Sequence, residues 1–306
     1  GDQTWQLKVG HKTAPGDQVF LRVVGVDGAF VADDDWLKFI PQTANDWRST
    51  AVVNSDDSLD WILLTNRVKN VVMEFRRDPT NHLWRMIRPL TARANNEYLT
   101  GALQKLFAAR VPQFVSDDPK ADLNAFGLQP AALDLWLGRG TNRIAAICVG
   151  KNSTNDSSRV FARRADWHTI FTTPADALSP WSGSVNDFRD PLLLELTAPV
   201  AEIEVRGEND FTLRRNNSND WSVVGEKYPA DADNVQSFIK LLAGLRVADF
   251  VKDVVTAPDL QTYGLATPAR QIILRSAADD TNAVIARLLF GATQTNEVYV
   301  KRGDED

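Results

Sequence analysis

Cysteine is almost missing from this sequence. Cys148 stands alone among 306 residues, so no intrachain disulfide and no thiolate metal cluster can be built. One cysteine suits a cytosolic chain and equally an extracytoplasmic one that does without disulfides. Histidine is nearly as scarce: His11, His82 and His168 lie in three distant segments, none at ligand spacing from a cysteine or another histidine. They read as surface or turn residues, and neither a metal nor a cofactor is expected. A Gly-x-Ser-x-Gly elbow is absent, because Ser182-Gly183-Ser184 follows Pro180-Trp181 without the pattern, and serine hydrolase chemistry has no support. No apolar run nears the roughly 20 residues that span a bilayer; residues 21–26 and 144–149 have the length of strands. A basic excess is missing too. Lys and Arg number 34 against 40 Asp and Glu, a net charge of −6, so no basic stripe is available to neutralise phosphates and nucleic acid is not expected as a partner. The first residue is Gly1, which reads as a processed or trimmed N-terminus, and a preceding membrane anchor is an expectation.

What is present is a core and a repeat. Hydrophobic residues make up 43% and charged residues 24%, close to globular averages, so one large domain or two ordinary ones are expected to pack. Met73-Glu74-Phe75-Arg76-Arg77, a polar turn and Trp84 are matched by Phe211-Thr212-Leu213-Arg214-Arg215, a polar turn and Trp221. Each alternates at period two before Asn- and Asp-rich residues, the pattern of a strand, turn and strand. A helix follows in each. Leu99, Ala102, Leu103 and Leu106 match Val235, Phe238, Ile239 and Leu242 at the spacing of one buried helical face. Asn95-Asn96 and residues 231–234 supply N-capping side chains.

After apolar exits at 111–115 and 247–251, Phe126-Gly127-Leu128 precedes Pro130 as Tyr263-Gly264-Leu265 precedes Pro268. Glycine there supplies a positive φ. Strands at 133–137, 144–149 and 160–163 then correspond to 272–275, 285–290 and 298–301. The last two of these recur at 5–9 and 19–24, which places Gly10, Gly150 and Gly291 in one position. Trp36, Trp47 and Arg48 resemble Trp167, Phe188 and Arg189. Several features recurring in one order at a period near 137 indicate an internal repeat.

The Trp221 strand, Pro229-Ala230-Asp231-Ala232-Asp233, Leu245-Arg246-Val247 leading to Phe250, and Tyr263-Gly264-Leu265 carry a family resemblance. So do Gly291 with Val298-Tyr299-Val300, and Phe188-Arg189-Asp190. Together they resemble the bacterial domain of unknown function 4340 over nearly the whole chain. The first copy departs from it at Ala92-Arg93-Ala94-Asn95, where acidic residues are usual. The resemblance implies a membrane-anchored extracytoplasmic protein encoded beside ABC-type transport systems, including gliding-motility-like ones. It brings no catalytic residues.

Acidic clusters invite a calcium reading. Asp231-Ala232-Asp233-Asn234 starts like an EF-hand loop, but Gln236 and Leu242 stand where its glycine and bidentate glutamate belong, and helix capping explains the same residues. Residues 33–35, Asp56-Asp57, Asp117-Asp118 and Asp279-Asp280 read as solvated loops. Gly138-Arg139-Gly140 lies between two strands and reads as a hairpin turn, not a phosphate loop. Of nine tryptophans, Trp84 and Trp221 recur and are expected to pack. Trp36, Trp47, Trp167 and Trp181 follow strands in less regular segments and are the candidate partner- or glycan-binding residues.

The sequence therefore predicts an α+β fold of internally repeated units, each a mostly antiparallel sheet with helices packed on one side. Residues 1–65 read as the second half of a unit, 66–196 as a complete unit, and 197–306 as a unit truncated at its C-terminal end. The expected function is a non-enzymatic extracytoplasmic interaction module, accessory to an ABC-type transport or cell-surface machinery, with a membrane or envelope protein complex as partner. The alternatives are a glycan-binding envelope module and a hydrolase with a dispersed carboxylate site.

Overall fold

The computed structural model describes residues 4–40, 43–54, 58–216, 220–278, 280 and 283–303; Asp56, Asp57 and Asp279 lie outside the described residues. Three antiparallel sheets follow one another along the chain. The first has the order β1-β2-β3, from β1 (Leu7–Lys12), β2 (Gln18–Val23) and β3 (Phe30–Asp33). Two short 3-10 turns, Asp35–Phe39 and Ala44–Trp47, lead out of it.

The second sheet contains β4 (Trp61–Asn66), β5 (Val71–Arg77), β6 (Trp84–Arg88) and β7 (Ala92–Arg93), then helix α1 (Asn96–Ala108) and β8 (Gln113–Ser116). It continues through β9 (Leu133–Arg139), β10 (Asn142–Asn152), β11 (Arg159–Arg164), β12 (Ile170–Pro174) and the short helix α2 (Ala175–Leu178). Its order is β7-β6-β5-β4-β9-β10-β11-β12-β8. The third sheet is built from β13 (Glu202–Gly207), β14 (Phe211–Arg215), β15 (Trp221–Val223) and β16 (Pro229–Ala230), with helix α3 (Ala232–Gly244) and helix α4 (Ala257–Thr262) before β17 (Arg270–Arg275), β18 (Val284–Gln294) and β19 (Glu297–Arg302). Its order, β16-β15-β14-β13-β17-β18-β19, matches the first seven strands of the second sheet one for one. Strands hold 40% of residues and helices 20%, so sheets dominate more than the α+β expectation implies.

Alternation builds the cores. In the second sheet Ile62, Leu64, Met73, Phe75, Trp84, Met86, Leu133, Leu135 and Leu137 are buried with Leu99, Ala102 and Leu106 of α1, while Val72 and Trp136 on the other parity are exposed. That is the signature of an antiparallel sheet packed on one face. Val235 and Leu242 of α3 join Ile203, Val205, Trp221, Ile272 and Leu274 in a second, smaller core, with Phe238 and Ile239 partly buried against it. Each long helix starts on the cap read from sequence. The Asn95 side chain accepts from the Tyr98 amide, and Asp231 from the Asn234 amide, which removes one orphan donor per helix.

The glycine turns have a steric cause. Gly127 and Gly264 sit at φ +68° and +66°, a region side chains resist. A Cβ on Gly150 or Gly291 would lie 2.2 Å from the carbonyl oxygen of Phe126 or Tyr263, so only glycine lets this turn dock on the strand. The strand register slips across Gly10, Gly150 and Gly291 alike, between Val9 and Lys12, Val149 and Asn152, and Phe290 and Thr293.

Two expectations need correction. A boundary after residue 65 would cut β4, which pairs with β5 and β9 inside the second sheet; that strand precedes the first recognisable repeat feature and was invisible to it. Trp36 and Trp167 are also not counterparts. Trp36 follows β3 in a 3-10 turn, whereas Trp167 lies in the link from β11 to β12.

Candidate functional site

A short local pattern occurs twice: Asn45-Asp46-Trp47-Arg48 and Asn186-Asp187-Phe188-Arg189. In both, a 3-10 turn ends on the arginine, which folds the asparagine amide back toward the guanidinium. The segment after each arginine then docks on the exit from a long helix. The Val111 amide donates to the Thr50 carbonyl and the Val247 amide to the Pro191 carbonyl, both at 2.7 Å.

This docking delivers the arginines to a second pattern, Phe114-Val115-Ser116-Asp117 and Phe250-Val251-Lys252-Asp253. The Arg48 guanidinium lies 3.8 Å over the Phe114 ring and forks onto Asp117, Nη1 to Oδ2 at 2.8 Å and Nη2 to Oδ1 at 2.9 Å. Its counterpart Arg189 lies 3.7 Å over Phe250 and donates from Nη1 to Asp253 Oδ1 at 2.6 Å. Each is a charge-assisted pair stacked on an aromatic face.

The two clamps differ in what completes them. Arg48 Nη2 also donates to Thr169 Oγ1 at 2.9 Å, and that hydroxyl donates to Asp117 Oδ1 at 2.6 Å. Thr169 immediately precedes β12, which runs between β11 and β8. Hydrogen bonds from Arg48 and Thr169 hold the Asp117 carboxyl below its ordinary value. Beside Arg189 there is a cleft of about 520 Å³, lined by Arg189, Phe250, Asp253, Tyr263, Val298 and Val300. Arg189 is 8% exposed, and its Nε is buried with no acceptor among the described residues. A buried guanidinium nitrogen without an acceptor costs free energy. Sequence reading missed both clamps; the signal was the doubled Asn-Asp-aromatic-Arg together with Phe-Val-x-Asp.

The four candidate tryptophans do not converge. Trp47 is 72% exposed, Trp36 is half-buried, and Trp167 is half-buried with the Arg164 guanidinium 4.0 Å from its ring. Trp181 is a correction: it is fully buried, beside Phe188 at 6.4 Å between ring centroids. Pro180 opens a 3-10 turn after α2 that folds Trp181 into the second sheet's core, so it cannot meet a partner. Phe188 packs there on Phe75 and Tyr98. Trp47, at the matching place in its own pattern, is exposed, as are Trp5 and Phe39 at 74% and 83%.

Proton-transfer chemistry finds little purchase. Burial and the adjacent Asp134 push the Cys148 thiol up to about 11, which keeps it protonated. Burial opposes ionisation of Glu204, but hydrogen bonds from Arg275 and Arg206 outweigh it and hold the carboxyl below its ordinary range. It sits in an ion-pair network with Glu202, where Arg275 donates to Glu202 Oε1 at 2.8 Å and to Glu204 Oε2 at 2.6 Å. A carboxyl so held is a fixed anion at neutral pH, not a general acid. His11, His82 and His168 are exposed on separate segments. Among the described residues no three His, Cys, Asp or Glu groups could together hold a metal ion. Asp231 spends its carboxylate on the α3 cap, and Asp34 and Asp35 pair with Lys12 and Lys38.

The family model described as "Domain of unknown function (DUF4340)" matches residues 84–256 and again 221–306, so that both matches open on the recurring tryptophan. No curated protein and no solved structure matched. With the doubled clamp, the doubled strand order and a family match over most of its length, the chain belongs to the DUF4340 family of domains of unknown function.

Proposed function

We propose that this chain is a non-enzymatic extracytoplasmic interaction module, accessory to an ABC-type transport or cell-surface machinery, built from tandem copies of one unit. Shared strand order, matching helix caps, matching glycine turns and the doubled clamp support the tandem reading. The compartment and the machinery rest on the family resemblance.

The observation that carries the interaction reading is the apolar surface at the N-terminal sheet. Trp5, Phe39 and Trp47 are each more than 70% exposed, with Leu7, Phe20 and Val31 exposed near them in sequence. Single exposed apolar residues are ordinary, but so many within one N-terminal stretch support the interaction reading. Large aromatics of this kind anchor protein interfaces. Glycan stacking has Trp47 in its favour, yet it loses Trp181 to the core and finds Trp167 already beside Arg164. A hydrolase reading has no carboxyl poised as an acid among the described residues in its favour.

Affinity capture from detergent-solubilised envelope, run beside a glycan array, tests the proposal. Recovery of a transport or surface complex by the native chain, lost with Trp47→Ser and Phe39→Ser, is the expected result. Glycan binding lost with Trp47→Ser and no complex recovered would favour the second reading.

No helix among the described residues is long and apolar enough to cross a membrane.

A further inference from the structure

We infer that residues 188–193 are a rigid coupler, locked by Arg93 and Arg189, that fixes the third sheet's orientation relative to the second. The two units then move as one body, and whatever binds one of them is held at a set orientation to the other. The inference rests on the tandem reading above and on no particular partner.

Relative motion is the ordinary behaviour of neighbouring units joined by a short link, so a fixed joint needs anchors on both sides. Here the main chain alternates between its two neighbours. Toward the second sheet, the Asn95 amide donates to the Phe188 carbonyl at 2.8 Å and the Asp190 amide to the Arg93 carbonyl at 2.9 Å. Ala94 and Arg189 thereby form an antiparallel bridge. Toward the third sheet, the Val247 amide donates to the Pro191 carbonyl and the Leu193 amide to the Leu245 carbonyl, both at 2.7 Å. Leu192 and Arg246 form the bridge on that side.

An arginine locks each side. Arg93 lies in the stretch where the first copy departs from the family resemblance. Its side chain is only 14% exposed; Nη2 donates to the Leu192 carbonyl at 2.6 Å, and Nη1 lies 3.5 Å from Asp190 Oδ2. Arg189 reaches the other way. Its main chain is bridged to Ala94, while its guanidinium stacks on Phe250 and donates to Asp253. Parting the units on either side of the strap therefore breaks two main-chain bonds and a charge-assisted pair.

The forward half of this joint occurs twice. The Val111 amide donates to the Thr50 carbonyl at 2.7 Å and the Val52 amide to the Ala109 carbonyl at 3.3 Å, around a bridge from Ala51 to Arg110. Arg48 stacks on Phe114 and pairs with Asp117 just as Arg189 does with Phe250 and Asp253. Thr50 and Ala51 are replaced by Pro191 and Leu192 in the second instance, yet the main-chain bonds are the same. What recurs is the joint's geometry, carried by backbone and arginine. The backward half, with Arg93, completes it between the second and third sheets.

Spin labels at exposed positions of the two long helices, Gln104→Cys in α1 and Lys240→Cys in α3, in a Cys148→Ser background, test this by pulsed electron resonance. The native joint should give one narrow distance. Arg93→Gln combined with Arg189→Gln should lose that peak to a broad distribution, while hydrogen exchange finds α1 and α3 as protected as before. Should the double variant unfold, Asp253→Asn, which keeps both arginines, takes its place with the same expectation. A broad distribution from the native joint overturns the inference, and so does a narrow peak that survives in the folded variant. A narrow native distance together with failed envelope capture keeps the coupler and removes the interaction reading; a broad one with successful capture does the reverse.

Discussion

Gly150→Ala and Gly291→Ala probe the two equivalent turns that dock on β10 and β18. Each new Cβ would start 2.2 Å from a backbone carbonyl oxygen, that of Phe126 or Tyr263. Carbon and a carbonyl oxygen rest no closer than about 3.3 Å, so strand and turn must separate by roughly 1 Å. A rotamer change cannot relieve this, because the obstacle is main chain. In the second case the 2.8 Å bond from the Ala292 amide to the Tyr263 carbonyl is strained as well. Overpacking of this sort costs about 1–3 kcal/mol, and the rigid obstacle puts both variants near the top of that range. At roughly 2–4 °C per kcal/mol for units of 150–250 residues, calorimetry should show midpoints about 5–10 °C lower. Gly101→Ala is the control: it lies inside α1 with nothing within 4 Å of its Cβ position. It should stabilise by about 0.5–1 kcal/mol. If the Gly150 and Gly291 variants melt with the parent, the close approach of turn to strand is wrong.

Leu106→Ala removes a fully buried α1 side chain and should cost about 2–5 kcal/mol in chemical denaturation; Ile239→Ala, only partly buried, should cost less. Hydrogen bonds from Lys252 and Thr256 hold the Asp259 carboxyl at about 2, below its ordinary 3.8. Because the folded value is depressed, its support of the α4 cap is complete above the unfolded value and lost as pH falls toward 2. An NMR titration of α4 amides should show loosening in that window, absent in Asp259→Asn. The Cys148 thiol, half-buried and raised to about 11, should label at pH 8 far more slowly than an ordinary exposed thiol; labelling at the free-thiol rate would contradict the raised value.

Local physics explains what could be read from sequence. The helix faces of Leu99 to Leu106 and of Val235 to Leu242 follow from spacing, the caps at Asn95 and Asp231 from side-chain chemistry, and the turns at Gly127 and Gly264 from backbone sterics. Features set by tertiary context were harder. Trp181 and Trp47 sit in similar irregular segments, yet one is buried and the other exposed, because only the second sheet brings a core to meet it. The clamp escaped because Arg189 lies more than 60 residues from both Phe250 and Asp253. Nothing local signals an arginine that stacks on one residue and pairs with another. β4 and β3 lacked a distinctive residue and so escaped the repeat.

The central claim, that this chain works by docking onto an envelope protein, is met most directly by photo-crosslinking from Trp47 and Phe39, with Trp136 on another face as the control position. The account predicts crosslinks from the first two, in living cells, to a component of a membrane transport or surface machinery, and none from the third. Crosslinks from all three positions alike, or from none while the chain fractionates with the cytosol, would contradict it.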